Sequence, residues 1–80
     1  MKNNYETVQK VFVDFPAGNS TVFSVGDIHI HNSNEYAIRE IRVDENEVAI
    51  YGMPCGLASI PLLAPVLMRR YIGAPFCIKY

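Results

Sequence analysis

Two histidines and a glutamate are the first residues in this sequence whose types and spacing could carry chemistry. His29 and His31 are two residues apart, and Glu35 follows a short polar segment. On a β-strand, side chains two residues apart point to the same side, so both imidazoles would share one face. Two imidazoles and a carboxylate are a ligand set for zinc or iron. This interpretation predicts a small metal-dependent enzyme or metal-binding protein that uses His29, His31 and Glu35.

The segment 29–35 resembles the first motif of the cupins, a jelly-roll family with a His-x-His pair and a following Glu. That resemblance implies a metal site in a jelly roll, but the chain departs from the family pattern. Arg42 stands where the motif closes with Gly, and Pro54-Cys55-Gly56, which resembles the second motif, is followed by Ser59 at the ligand position. The two segments are also too close together for the missing strands, so we do not assign the chain to the cupins.

The competing interpretation of the histidine pair is a solvated strand face that alternates with buried Ile28 and Ile30. Histidines on one face could instead bind an anionic ligand or a partner, and binding would then change with pH near neutrality. Combined with the cationic, aromatic and apolar residues further along the chain, this predicts a set of ligand-binding or partner-binding residues: His29, His31, Tyr51, Met53, Arg69 and Arg70.

No pattern in the sequence predicts a catalytic residue. A catalytic thiol at Cys55 needs a neighbouring base, and no histidine is tied to it by spacing. We expect Cys55 and Cys77 to be reduced and buried. Asp44, Glu45 and Glu47 lack the second half of a calcium loop and are interpreted as a solvated hairpin tip. Phosphate-binding glycine loops, serine elbows and Cys-x-x-Cys pairs do not occur, so we expect a non-enzymatic protein without a cofactor.

Strands are predicted by alternating β-branched and polar residues along the first two thirds of the chain. They are Thr7–Phe15, Thr21–Val25 and Ile28–His31, with turns at 16–20, 26–27 and 32–34. The clearest feature is a hairpin in which Tyr36–Val43 and Glu47–Tyr51 flank a turn at 44–46. A helix over Glu35–Arg42 is the alternative, because its apolar residues also fit helical spacing.

A short helix is predicted near the C-terminus. Pro61 and Pro65 cannot both lie inside one regular helix, so the helix begins near Pro65 and ends near Ile72, with Arg69 and Arg70 in its last turn. A final strand over 76–79 could pair back onto the sheet. The predicted class is α+β, mainly β: a small antiparallel sheet, or a partly open barrel or roll, of about five strands with one short C-terminal helix.

Composition limits the function classes. The chain has 80 residues, predicted to form one domain over 1–80 with 1–6 frayed, and 50% of them are hydrophobic. A small domain this rich in apolar residues is expected to bury some of them in a homo-oligomer. The seven Lys and Arg are scattered and the net charge is −1, so nucleic-acid binding is disfavoured. The N-terminus lacks an apolar signal segment, and we expect a cytoplasmic location.

These observations predict a small non-enzymatic binding protein that acts as a homo-oligomer. It would capture a small polar or anionic ligand, or a partner protein, with the stretch 52–65 as interface or pocket wall. Compact accessory proteins of phages and mobile elements, such as inhibitors of host immunity, have this general profile. A structural subunit of an assembly is an alternative. A membrane span within the uncharged residues 48–68 is disfavoured by their prolines and glycines.

Overall fold

Strands account for all the regular structure that is described. The computed structural model describes residues 5–44, 47–56, 64–73 and 76–80. The strands are β1 (Glu6–Val8), β2 (Lys10–Asp14), β3 (Ser20–Ser24), β4 (Ile28–His31), β5 (Asn34–Val43), β6 (Glu47–Pro54), β7 (Val66–Ile72) and β8 (Cys77–Lys79). Within the described residues the protein therefore has two antiparallel sheets and no helix. The predicted α+β class with a C-terminal helix is wrong.

The larger sheet is organised around β5. Its described strands run in the order β1-β5-β6-β7, and β4 pairs with the same edge of β5 that β1 uses further along. The predicted hairpin is confirmed as β5–β6, whose register runs from Tyr36 opposite Pro54 to Val43 opposite Val48. The helical alternative for 35–42 is wrong, because alternate residues of β5 are needed on the buried side of the sheet.

The smaller sheet has the described order β3-β2-β8. The chain enters it at Gln9, between β1 of the larger sheet and β2, and returns to the larger sheet at Gly26, between β3 and β4. Val25 N–H donates to the Gln9 carbonyl, and Gly26 N–H donates to the Ile38 carbonyl (2.9 and 2.8 Å). Gly26 has φ of 99°, a conformation that glycine adopts without steric cost. The predicted bend at 26–27 thus folds the smaller sheet over the larger one.

The core lies between the two sheets. Its buried residues are all apolar: Val11, Val13, Phe23, Ile38, Ile41, Val43, Val48, Ile50 and Met68. An aromatic group that includes Phe15, Tyr71 and Phe76 packs against this core, with ring centroids 5.2–5.5 Å apart. We call the side of the larger sheet that faces this core the inner face, and the opposite side the outer face.

The segment predicted as a helix near Pro65–Ile72 forms the strand β7 instead. Pro65 and Gly73, interpreted as helix-boundary residues, border this strand. The register between β6 and β7 shifts between Ile50 and Tyr51, which leaves Met68 as an extra residue in β7. This bulge gives Met68 and Tyr71 the three-residue spacing that one face of a helix would also show.

Arg69 and Arg70 consequently do not sit together in a helical turn. Arg69 is opposite the buried Ile50, and Arg70 is opposite Ala49. Successive side chains of a strand point to opposite faces. The Arg69 side chain therefore leaves β7 on the inner face, and the Arg70 side chain leaves it on the outer face.

Predictions from the sequence also concern the last strand, the two cysteines and the N-terminal residues. β8 pairs with β2 of its own chain, which confirms the predicted final strand. Cys55 and Cys77 are free and exposed, so their predicted burial is wrong. Glu6 begins β1, whereas residues 1–4 of the expected frayed segment lie outside the described residues. Half of the stretch 52–65, residues 57–63, also lies outside them, and no helix in the described part is long and apolar enough to span a bilayer.

Candidate functional site

The β4–β5 hairpin determines where the predicted site residues point. Its turn consists of Asn32 and Ser33, both with positive φ (52° and 66°), and His31 pairs with Asn34. Two central residues with positive φ form a type I′ turn, whose twist matches that of the flanking strands. A two-residue turn of this type fixes the register between β4 and β5. That register decides which side chains of β4 face the core.

This register turns β4 the opposite way from the sequence prediction. Ile28 lies beside Ala37, and Ala37 lies beside Met53 of β6, on the outer face. His29 lies beside Tyr36 on the inner face. Ile28 and Ile30 are 53% and 57% exposed, while both histidines are half-buried. The predicted solvated histidine face with buried isoleucines is therefore wrong.

Glu35 is separated from the two histidines. It pairs with Ile30, which places it on the outer face, and its carbonyl accepts a hydrogen bond from Cys55 N–H of the neighbouring chain segment (3.0 Å). His29, His31 and Glu35 therefore do not form a ligand set, and no group of three or more His, Cys, Asp or Glu elsewhere in the described part could hold a metal ion.

Each histidine is oriented by an aromatic neighbour. The His29 ring lies against Phe23, with centroids 5.1 Å apart, and the His31 ring meets Tyr36 edge-on at 5.3 Å. His31 Nε2 is also 3.3 Å from Nδ2 of Asn32. In that contact the amide donates and Nε2 accepts, which requires the tautomer with an unprotonated Nε2.

Arg69 reaches the strand that carries both histidines. Its Nη2 donates to the carbonyl oxygen of Ile30 at 3.1 Å, and Ile30 lies between His29 and His31 in β4. Arg69 is exposed and has no carboxylate partner among the described residues. We call His29, His31, Tyr36 and Arg69 the inner cluster. The structure thus brings together three of the six residues predicted to bind a ligand or partner.

The other three predicted residues lie on the outer face. Tyr51 pairs with Glu40 and Leu67, Met53 with Ala37, and Arg70 with Ala49. Their side chains therefore cannot join the inner cluster, because the sheet lies between the two groups.

Arg42 occupies the centre of a polar network on the outer face. Its guanidinium carbon lies 4.8 Å from the ring centroid of Tyr5 and 4.4 Å from that of Tyr51. Its Nε donates to Glu40 at 2.8 Å. Hydrogen bonding to Glu40 raises the pKa of Arg42 above its usual value, while burial acts in the opposite direction. Each contact between the cation and a ring is worth about 0.5–1 kcal/mol at such a half-exposed position.

A second ion pair flanks this network. Arg70 Nε donates to Glu47 at 2.6 Å, and this hydrogen bond raises the pKa of Arg70. Between the two arginines, the small side chain of Ala49 leaves a depression of about 220 Å³, which is lined by Tyr5, Arg42, Val43, Asp44, Glu47, Ala49 and Tyr51. With two carboxylates in its wall, this depression is not suited to an anion.

The Tyr5–Arg42–Tyr51 stack is not predicted from the sequence. The hairpin pattern already places Arg42 and Tyr51 on the polar side of adjacent strands, so this half of the stack could have been found from the predicted register. Tyr5 could not, because β1 pairs with β5 only in the folded chain, where Thr7 lies opposite Arg42.

Comparisons with known proteins add no assignment: no family model matches the chain, and neither curated proteins nor solved structures give a match.

Proposed function

We propose that this chain is a non-enzymatic, cytoplasmic binding protein that acts as a homo-oligomer, with the outer face of its larger sheet as the surface that joins the copies. The observation that carries this proposal is the orientation of β4, whose isoleucine side chains point to the outer face. A strand that shows Ile28 and Ile30 to solvent and turns histidines toward the core loses stability in an isolated chain. A second copy that covers the two isoleucines restores that loss.

Further apolar side chains extend this surface. Leu67 and Ile72 of β7 are 44% and 49% exposed on the outer face, and Tyr5 is also exposed. No other strand among the described residues covers this face. Four large aliphatic side chains and a tyrosine exposed on one sheet face are a surface that a partner can cover.

The polar part of the face suits an interface. Tyrosine and arginine are enriched among the residues that dominate binding energies. Arg42 is held in place by two rings and Glu40 before any partner arrives. A side chain that is already ordered loses less conformational entropy on association.

The size of the face agrees with a stable dimer. Four strands side by side at ~4.8 Å, with ten residues at ~3.3 Å along β5, give a projected area of about 600 Å² before side-chain relief. A standard interface buries about 800 Å² per partner. The molecule is flattened, with extents of 36 × 36 × 18 Å, so a broad face of this size is available.

The charges favour a second copy as the occupant. A twofold interface places one patch against the same patch of the partner, and a patch of one sign would repel itself. Here Arg42 pairs with Glu40, and Arg70 pairs with Glu47. Each copy therefore presents both signs to the other.

Sedimentation equilibrium over a concentration series tests the proposal. We expect the wild-type protein to show a mass of twice 9.0 kDa at the upper end of the series. Leu67→Asp, which places an uncompensated charge in the proposed interface, is expected to shift the chain to the monomer.

Val22→Asp is the matched control. Val22 is 40% exposed, close to the value for Leu67, but it lies in β3 of the smaller sheet. This variant is expected to remain oligomeric. A wild-type protein that stays monomeric throughout the series, or a Val22 variant that dissociates as readily as the Leu67 variant, contradicts the proposal.

A further inference from the structure

We infer that the inner cluster is a binding site for a small oxyanion, that is, for the phosphate, sulfate or carboxylate group of a ligand. The inference rests on the proposed binding function but not on self-association, because the cluster lies on the side of the sheet opposite the proposed interface.

Arg69 supplies the cation of this site. Arg42 and Arg70 are each neutralised by a carboxylate, whereas the only side-chain hydrogen bond of Arg69 within the described residues goes to the neutral carbonyl of Ile30. A guanidinium has five N–H donors in a planar fork that matches carboxylate and phosphate oxygens. One bond to Ile30 anchors the group and leaves the remaining donors for a ligand.

The two histidines supply further donors. Their rings lie on the same face of β4 as each other and flank, in sequence, the residue that Arg69 binds. Phe23 and Tyr36 hold the rings in defined orientations. A preorganised site of this kind spends less free energy on ordering its side chains when the ligand arrives.

The register of β4 places both histidines at this site. The sequence alternates isoleucine and histidine, so a register shifted by one residue would bury the isoleucines and expose the histidines. The type I′ turn at Asn32 and Ser33 sets the observed register.

The charges around the cluster do not oppose an anion. Tyr36, Tyr71 and Arg69 share the inner face with the histidines, whereas Glu35 is turned to the outer face. Asp27, directly before β4, is exposed and is the nearest acid along that strand.

Titration of the full chain with sodium sulfate, followed by NMR of the imidazole ring carbons, tests this inference. Sulfate is chosen because it is tetrahedral and its charge does not change near neutral pH. We expect saturable shifts of the ring signals of both His29 and His31. A parallel titration with acetate shows whether tetrahedral or planar oxyanions are preferred.

Two variants locate the site. Arg69→Gln removes the cation at an exposed position and is expected to weaken binding roughly tenfold or more, since hydrogen bonds between charged groups are the strong ones. Lys10→Gln removes one exposed positive charge from the smaller sheet and is expected to leave the affinity unchanged. His31→Gln is also expected to weaken binding. It tests the site independently if the Arg69 variant does not fold.

The inference is overturned if neither imidazole responds to sulfate or acetate. It is also overturned if the Arg69 and Lys10 variants lose affinity equally, because binding is then a general effect of net charge. The oligomeric state, measured in the same samples, separates this outcome from a failure of the proposed interface.

Discussion

Gly52 offers the sharpest test of the packing between β5, β6 and β7. It is buried in β6, opposite Ile38 of β5 and Val66 of β7. A Cβ at this position would lie 2.7 Å from the main-chain oxygen of Ala37 and 3.3 Å from its carbonyl carbon, and it would also overlap Sδ of Met68. The sulfur can move with its flexible side chain. The Ala37 carbonyl cannot move without disturbing the β5–β6 ladder.

We therefore expect Gly52→Ala to destabilise the protein. Overpacking of a well-filled core costs about 1–3 kcal/mol, out of a total of roughly 4–12 kcal/mol for a domain of this length. A loss of about 2 kcal/mol corresponds to a fall in Tm of roughly 8–16 °C in a small domain. Urea and thermal unfolding followed by circular dichroism measure both quantities.

Gly56→Ala is the matched control. A Cβ at Gly56 meets no atom within 4 Å, and Gly56 is not among the residues with positive φ. This substitution is expected to leave stability unchanged or to raise it by up to about 1 kcal/mol, because alanine restricts the unfolded chain.

A thermodynamic cycle with Met68→Ala separates the two overlaps at Gly52. If the backbone contact with Ala37 dominates, the Gly52→Ala penalty persists when the Met68 side chain is shortened. The reasoning is refuted if Gly52→Ala is as stable as Gly56→Ala, because the close approach of the strands would then be absent.

Two further predictions concern charge and burial. Hydrogen bonds from Ser20 and then Lys79 lower the pKa of Asp14 below its usual value. A lowered carboxyl pKa contributes stability above the value of the unfolded chain, and that contribution is lost as the pH falls through the folded value. The Tm difference between wild type and Asp14→Asn should therefore shrink from pH 6 to pH 2, and a constant difference would contradict this assignment. Ile41 is fully buried and Ile30 is exposed, so Ile41→Ala is expected to cost about 2–5 kcal/mol. Ile30→Ala, measured by urea unfolding at a dilution where the chain is monomeric, should cost less than about 0.5 kcal/mol. If Ile30→Ala and Ile41→Ala lose the same free energy of unfolding, the isoleucines of β4 face the core and the assigned register is wrong.

Several features of the fold follow from the sequence alone. Val11 and Val13 are predicted on one side of a strand, and both are buried. The β5–β6 hairpin and the turn at Asn32 are also predicted, because their signals lie within a few neighbouring residues. The candidate binding residues His29, His31 and Arg69 come from the sequence as well, although their grouping does not.

The tertiary structure decides which side of each strand faces the core. A period of two shows that Ile30 and His31 lie on opposite faces, but not which face is buried, since that depends on the partner strand and its register. The bulge at Met68 changes the spacing in β7, so the same residues fit either a helix or a strand until β6 is beside them. The contact of Arg69 with β4 joins residues 39 positions apart. Local sequence patterns contain no information about such a contact, because it exists only when the larger sheet has formed.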